Sequence, residues 1–196
     1  MRQPTQHHKG LTYAYVALGG NATSSYGSPE RTVSAAKQEI SCESVNVLAE
    51  SRLFRTPAFP EGSGPDFTNA VILVETSLSS GEFLAHLHRI EAAFDRVRQT
   101  RWGARTLDLD LLDFGGDITP DAATLRHWID LPLERQTQQT PDQLLLPHPR
   151  LQDRSFVLIP MADIARDWVH PLLGLSVDQM LRARPEAEKR EVVALE

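Results

Sequence analysis

The chain has 196 residues, of which 41% are hydrophobic and 23% charged, enough apolar content for one globular domain with a substantial core. Its formal net charge of −6 argues against nucleic acid as the main partner, because phosphate backbones want a basic surface. Cys42 is the only cysteine, which excludes an intrachain disulfide and points to a reducing compartment.

Residues 1–11 read as a flexible polar leader without the apolar segment of a secretion signal. No run in the chain approaches the length of a membrane span, so the expected class is a cytoplasmic, soluble protein with no membrane partner. His7-His8 could hold a metal, but histidines in a polar tail are more often solvated. Residues 13–18 are apolar and β-prone, and the strand ends at Gly19-Gly20-Asn21, where the chain must turn. Ser28 as N-cap with Pro29 behind it starts a helix that runs to about Ile40. Residues 46–54 form a second expected strand, and the proline- and glycine-rich residues 55–65 break regular structure. A third strand spans residues 67–76. Ser79 and Glu82 then have capping-box spacing, and Phe83, Leu84, Leu87, Ile90, Phe94 and Val97 recur at helical intervals to about Arg98.

The segment 101–115 is read as a fourth strand, with the alternating run 107–111 inside it. Residues 116–146 are long, polar and weakly patterned, with a possible short element at 125–133; loops of that length are usually functional or accessory. Residues 155–164 are apolar, 176–181 read as a last short helix, and 185–196 as a charged, frayed tail. The order βαββαβ predicts a ferredoxin-like α+β sandwich: an antiparallel sheet with two helices on one face, an inserted segment at 116–146, and C-terminal additions. One domain over residues 12–184 is expected.

The run Leu107-Asp108-Leu109-Asp110-Leu111 alternates strictly, so a strand turns the leucines to one face and both aspartates to the other. A solvated outer face is one reading of two mutually repelling carboxylates. A divalent cation is the other, since hard Mg²⁺ takes carboxylate and phosphate oxygens and paired aspartates recur in phosphoryl transfer. Arg96, Arg98, Arg101 and Arg105 crowd just upstream. Alone they read as a solvated helix end; beside an Asp-x-Asp strand they read as a grip on a polyphosphate. Trp102, in the same stretch, is either a loop side chain or a core anchor. No P-loop motif occurs, so a triphosphate would be held by metal and arginines. Asp113 falls among the leucines under strict alternation, which predicts that the strand bulges or ends there.

In chain order, AYVALGGN at 14–21, FRTP at 54–57, DFTNA at 66–70, RIE at 89–91, RVR at 96–98, RWGARTLDLD at 101–110, PH at 147–148 and RSF at 154–156 resemble the 6-hydroxymethyl-7,8-dihydropterin pyrophosphokinase family. The resemblance spans about residues 13–181, and its arginine-to-aspartate string is the most specific part. It implies transfer of the β,γ-diphosphate of ATP to the hydroxymethyl oxygen of the reduced pterin, leaving AMP, in folate biosynthesis. It implies two Mg²⁺ ions on Asp108 and Asp110, with Arg96 and Arg105 stabilising the transferring group. Glu91, Arg98, Leu111, His148 and Arg154 fall at nucleotide positions. Phe67 and Phe156 fall at positions that stack on the pterin, Asn69 and Thr56 at positions that read its polar edge, with Pro57 and Trp102 beside them. Read from the residues alone, Phe67 and Phe156 are core packing, Thr56-Pro57 a turn and Asn69 a strand end. Gly20, Phe67, His88, Ala104 and Pro149 stand where the family commonly has serine, tyrosine, glutamine, proline and an aromatic residue. Two rivals stand beside this reading: a related enzyme with another acceptor, and a non-catalytic domain that kept the fold. The second predicts loss of a key carboxylate or arginine, and Arg96, Arg105, Asp108 and Asp110 are all present. The expected ligands are ATP and the pterin, and the expected state is a monomer.

Overall fold

A computed structural model describes residues 10–58, 64–95, 105–132, 135 and 139–195 of the chain. Most of the expected leader, residues 1–9, lies outside them. The first strand, β1 (Thr12–Gly20), sends Ala14, Val16 and Leu18 to one face and Tyr15 to the other, the period-two pattern of a strand buried on both sides. Helix α1 (Pro29–Ile40) follows; Ser28 is extended ahead of Pro29, and Val33, Ala36 and Ile40 form the buried stripe. The expected second strand divides in two, β2 (Val45–Glu50) and β3 (Phe54–Thr56). Ser51 causes the break. Its Oγ accepts from the Val71 amide at 2.9 Å, taking over a rung of the ladder as the chain steps outward.

Strand β4 (Phe67–Thr76) is the centre of the sheet. It pairs with β1 from Thr12↔Thr76 to Gly20↔Thr68, and on its other side with β2 and then β3. Helix α2 (Ser80–Ala93) opens on the expected capping box, with the Ser79 amide donating to Glu82 at 2.9 Å. It stops short of the expected Arg98: Phe94 is its C-cap, and Asp95 has a φ of 62°, a left-handed backbone that cannot continue a helix. Strand β5 (Asp108–Phe114) pairs with β1 at the sheet edge, and the order β5-β1-β4-β3 is antiparallel throughout.

Two layers of apolar side chains sandwich this sheet. Val16, Leu18, Ile72 and Leu109 meet Phe83, Leu87 and Phe94 on the α1 and α2 side. On the other side, Tyr15, Val71 and Leu112 meet Leu158, Met161, Trp168 and Met180, from α4 (Ser155–Ala165), α5 (Val177–Arg182) and the loop between them. The inserted stretch holds α3 (Ala122–Ile129), whose Asp121 caps it by accepting from the Thr124 amide at 2.9 Å.

The expectation of a frayed tail is corrected. After α6 (Glu186–Arg190), the pair Val193–Ala194 forms β6 on the outer edge of β3, and the Leu195 amide donates to Leu53 at 2.8 Å. Arg184 bonds Glu188 at 2.8 Å, and Ser155 reaches Glu188 at 3.3 Å, which ties α6 to the start of α4. Charge in this segment serves docking, and the extra strand covers an edge that would otherwise be open.

Candidate active site

On β5 the two expected aspartates do share a face. Leu109 and Leu111 enter the core under α2, while Asp108 and Asp110 project from the opposite side, with side-chain exposures of 22% and 37%. Each carboxylate has its own arginine. Arg105 pairs with Asp108, and Arg154 reaches Asp110 at 3.4 Å. Their mutual repulsion is therefore offset by cations of the protein. The amide of Leu109, between the two aspartates, donates to Glu91 at 2.7 Å. Glu91, expected at the nucleotide, is 2% exposed, and this bond anchors the strand that carries the pair.

Tyr15 pairs with Asp113 but Val16 with Leu111, so Leu112 is the extra residue of a β-bulge. The bulge turns Leu112 and Asp113 to the same side, beside Tyr15 and away from the leucine face. Asp113 is 3% exposed, and its Oδ2 accepts from the Gly116 amide at 3.2 Å. Burial first, and then the Asp117 charge, push its carboxyl up to about 7, and burial together with Asp113 pushes the Tyr15 phenol up to about 12.

The residues expected at the acceptor lie along the same sheet face. Asp108 pairs with Gly19, Gly19 with Asn69, and Asn69 with Phe54, so Asp108 and Asn69 stand two strands apart on one line, roughly 10 Å. The Asn69 amide donates to Thr56 Oγ1 at 2.8 Å, joining the two expected edge readers. A Cβ at Gly19 would stand 3.1 Å from Asn69 Oδ1, and one at Gly20 would stand 2.4 Å from the Thr106 carbonyl. These glycines let the Asn69 side chain and the 105–106 backbone come close. Phe67 is half-buried at the start of β4, Phe156 is 40% exposed in the first turn of α4, and Pro57 is exposed beyond β3. Arg154 lies over the Phe156 ring at 5.7 Å, so one guanidinium meets both Asp110 and a candidate stacking ring.

Asn21 was not among the expected site residues. It is 4% exposed; its Oδ1 accepts from the Arg105 amide at 2.8 Å and its Nδ2 donates to the Pro65 carbonyl at 3.1 Å. One side chain thus fastens two segments that border the site. The Gly19-Gly20-Asn21 turn was the visible signal for it. Arg96, Arg98 and Trp102 lie outside the described residues.

The family model for 7,8-dihydro-6-hydroxymethylpterin-pyrophosphokinase matches residues 15–166. The chain belongs to this family. It is an ATP-dependent pyrophosphokinase that transfers diphosphate to hydroxymethyldihydropterin in folate biosynthesis. A pyrophosphokinase of this name from Synechocystis is 34% identical over 180 residues, covering 91% of this chain and 79% of the relative. One from Pseudomonas aeruginosa is 34% identical over 172 residues, covering 87% of this chain and 91% of the relative. The wild-type Plasmodium falciparum HPPK-DHPS structure shares the fold at a TM-score of 0.58 and 12% identity, covering 91% of this chain. The chain spans only 45% of that longer protein.

For the pyrophosphokinase, the donor set decides whether Mg²⁺ fits. Two part-exposed carboxylates on one strand face leave most coordination positions to phosphate and water, which is how Mg²⁺ binds with a nucleotide. Among the described residues no third acidic, histidine or cysteine ligand joins them, so the residues fit a cation that arrives with the nucleotide.

Beside the pair lies a cavity of about 570 Å³ over the outer edge of β5. It is lined by Asp108, Asp110 and Leu111 of β5, by His148, Arg150 and Arg154, and by Trp128 with residues 139–145 of the insertion. Burial first, then Arg154 and Arg150, push His148 down to about 3, so its ring is neutral at physiological pH. Nδ1 accepts from the Arg150 amide at 3.0 Å, which places the ring proton on Nε2. Leu111 and His148, expected at the nucleotide, meet in this cavity.

Proposed function

We propose that Asp108 and Asp110 hold two Mg²⁺ ions on the triphosphate of ATP, and that the pterin lies over Asn69 and Thr56 on the same sheet face. The observation that carries this reading is the cross-strand line from Asp108 through Gly19 to Asn69. It sets a phosphate-binding pair and a ring-reading pair about two strands apart, room for a hydroxymethyl group to meet a phosphorus. When bound, the ions neutralise phosphate charge and make phosphorus more electrophilic.

The chain's own residues do the rest. Arg105 and Arg154, paired with the aspartates, are placed to turn to phosphate oxygens once cations occupy the carboxylates, and so to meet charge that builds during transfer. Neutral His148 offers an Nε2 proton as a hydrogen-bond donor. Asn69 and Thr56 bind each other, which fixes their polar groups before the acceptor arrives. Phe67 and Phe156 supply π-faces near that pair. The exposed thiol of Cys42 suits the cytoplasm.

The test is a split in kinetic constants. Asn69→Ala should raise KM for the pterin on the order of 10- to 100-fold, the loss of one buried polar contact, and leave KM for ATP within about twofold. Equal changes in both constants would contradict the assignment of Asn69 to the acceptor.

A further inference from the structure

The insertion lines one side of the cavity beside the aspartates. Its ends are stitched together: the Thr119 amide donates to Leu146 at 2.9 Å and the Leu146 amide to Thr119 at 3.1 Å. The His148 amide adds a bond to the Leu112 carbonyl of β5 at 2.7 Å. Between those ends α3 packs inward through Leu125, which is 0% exposed, while Arg126 reaches the Leu172 carbonyl at 3.4 Å. The helix is therefore fixed on both sides, and its Trp128 is half-buried and lines the cavity. The His127 ring meets the indole edge-on, centroids 6.2 Å apart at 83°, which supports the indole from its own helix.

We infer that Trp128 is a nucleoside-binding residue, contributed by the insertion, whose ring packs against the base of the bound nucleotide. This rests on the reading of Asp108 and Asp110 as the triphosphate site. A triphosphate held there has two directions in which to extend. Toward β4 it meets Asn69 and Thr56, the acceptor's place; toward the outer edge of β5 it enters this cavity. The volume, about 570 Å³, lies in the ordinary range for small-molecule sites. The wall is also of the right chemistry for a base. It joins one large flat ring to the polar or acidic side chains of Gln139, Thr140, Asp142 and Gln143 and the apolar Pro141 and Leu144. A purine wants a π-face and in-plane polar partners together. The α3 wall thus sets affinity through the nucleoside, separately from the metal-bound phosphates.

The experiment is calorimetry on the full chain with Mg²⁺, using α,β-methylene-ATP and inorganic tripolyphosphate as two probes. Trp128→Ala should weaken the ATP analogue about 10- to 100-fold, the usual loss of one base–aromatic contact, and leave tripolyphosphate within about twofold. Trp128→Phe, which keeps a ring, should recover most of the analogue's affinity. Unchanged tripolyphosphate binding also reports that the variant is folded. Wild-type affinity of Trp128→Ala for the analogue would overturn the inference, and so would an equal loss for both probes, which marks a structural role. Asp110→Ala separates the two layers of the account. If it weakens both probes while Trp128→Ala weakens neither, the triphosphate site stands and the inference falls. If it weakens neither, the triphosphate site itself falls and takes the inference with it.

Discussion

Asp110→Ala should leave the protein folded and reduce turnover on the order of a thousandfold or more at saturating Mg²⁺ and substrates. The two halves of that result have separate causes. Asp110 is part-exposed and its ion pair with Arg154 spans 3.4 Å, so its loss changes stability by no more than about 1 kcal/mol. Removing one of two adjacent carboxylates also relieves their repulsion. Catalysis has no such compensation. A pre-placed electrostatic contact to developing charge is worth two to three orders of magnitude in rate, and this carboxylate is assigned a metal ion as well. AMP release by chromatography, beside a thermal melt, reads both halves. Turnover within about tenfold of wild type, with an unchanged melt, would remove Asp110 from the metal site.

Asp113→Asn should act on stability alone, and only toward higher pH. The Asp113 carboxyl is raised from 3.8 to about 7 in the fold, so the native protein binds its proton more tightly than the unfolded chain does. The stability it contributes is fully present below the unfolded value of 3.8 and is lost as pH rises through about 7. Three units amount to about 4 kcal/mol at pH 8, on the order of 10 °C in Tm for a chain of this size. Asparagine keeps an acceptor for the Gly116 amide and carries no charge to bury. Variant and wild type should therefore melt nearly alike at pH 4, separate as pH rises from about 4 to 7, and stay apart above that, the variant melting higher. A difference that does not change between pH 4 and pH 8 would show that burial does not hold Asp113 protonated.

Asp113 also marks the boundary between what the residues disclosed and what only pairing could. The aspartate face was legible in five residues because alternation on a strand is a local rule. The alternation put Asp113 out of phase and so foretold a bulge or a strand end, but that the chain continues and bulges at Leu112 depends on the register of β5 against β1, roughly a hundred residues away. The same holds for β6. Residues 185–196 read as a charged tail by composition, and their docking rests on Arg184, Glu188 and a strand edge at Phe54. Helix starts at Ser28 and Ser79 were visible because capping is a matter of three or four adjacent residues. The buried Glu91 carboxylate meets the Leu109 amide, a contact between α2 and β5 that spacing does not reveal. Trp128 was hidden for a related reason. Nothing near it in sequence resembles a binding motif, and it reaches the cavity only because Thr119 and Leu146 close the insertion on itself.

The central claim is that Asp108 and Asp110 collect the metal ions of the nucleotide, and counting those ions tests it most directly. Mn²⁺ can stand in for Mg²⁺ and be titrated by electron paramagnetic resonance into the protein with α,β-methylene-ATP. The account predicts two Mn²⁺ per wild-type complex, with the second lost and overall affinity sharply reduced in the Asp108→Ala, Asp110→Ala double variant. A double variant that binds the same number of ions with the same affinity would contradict it.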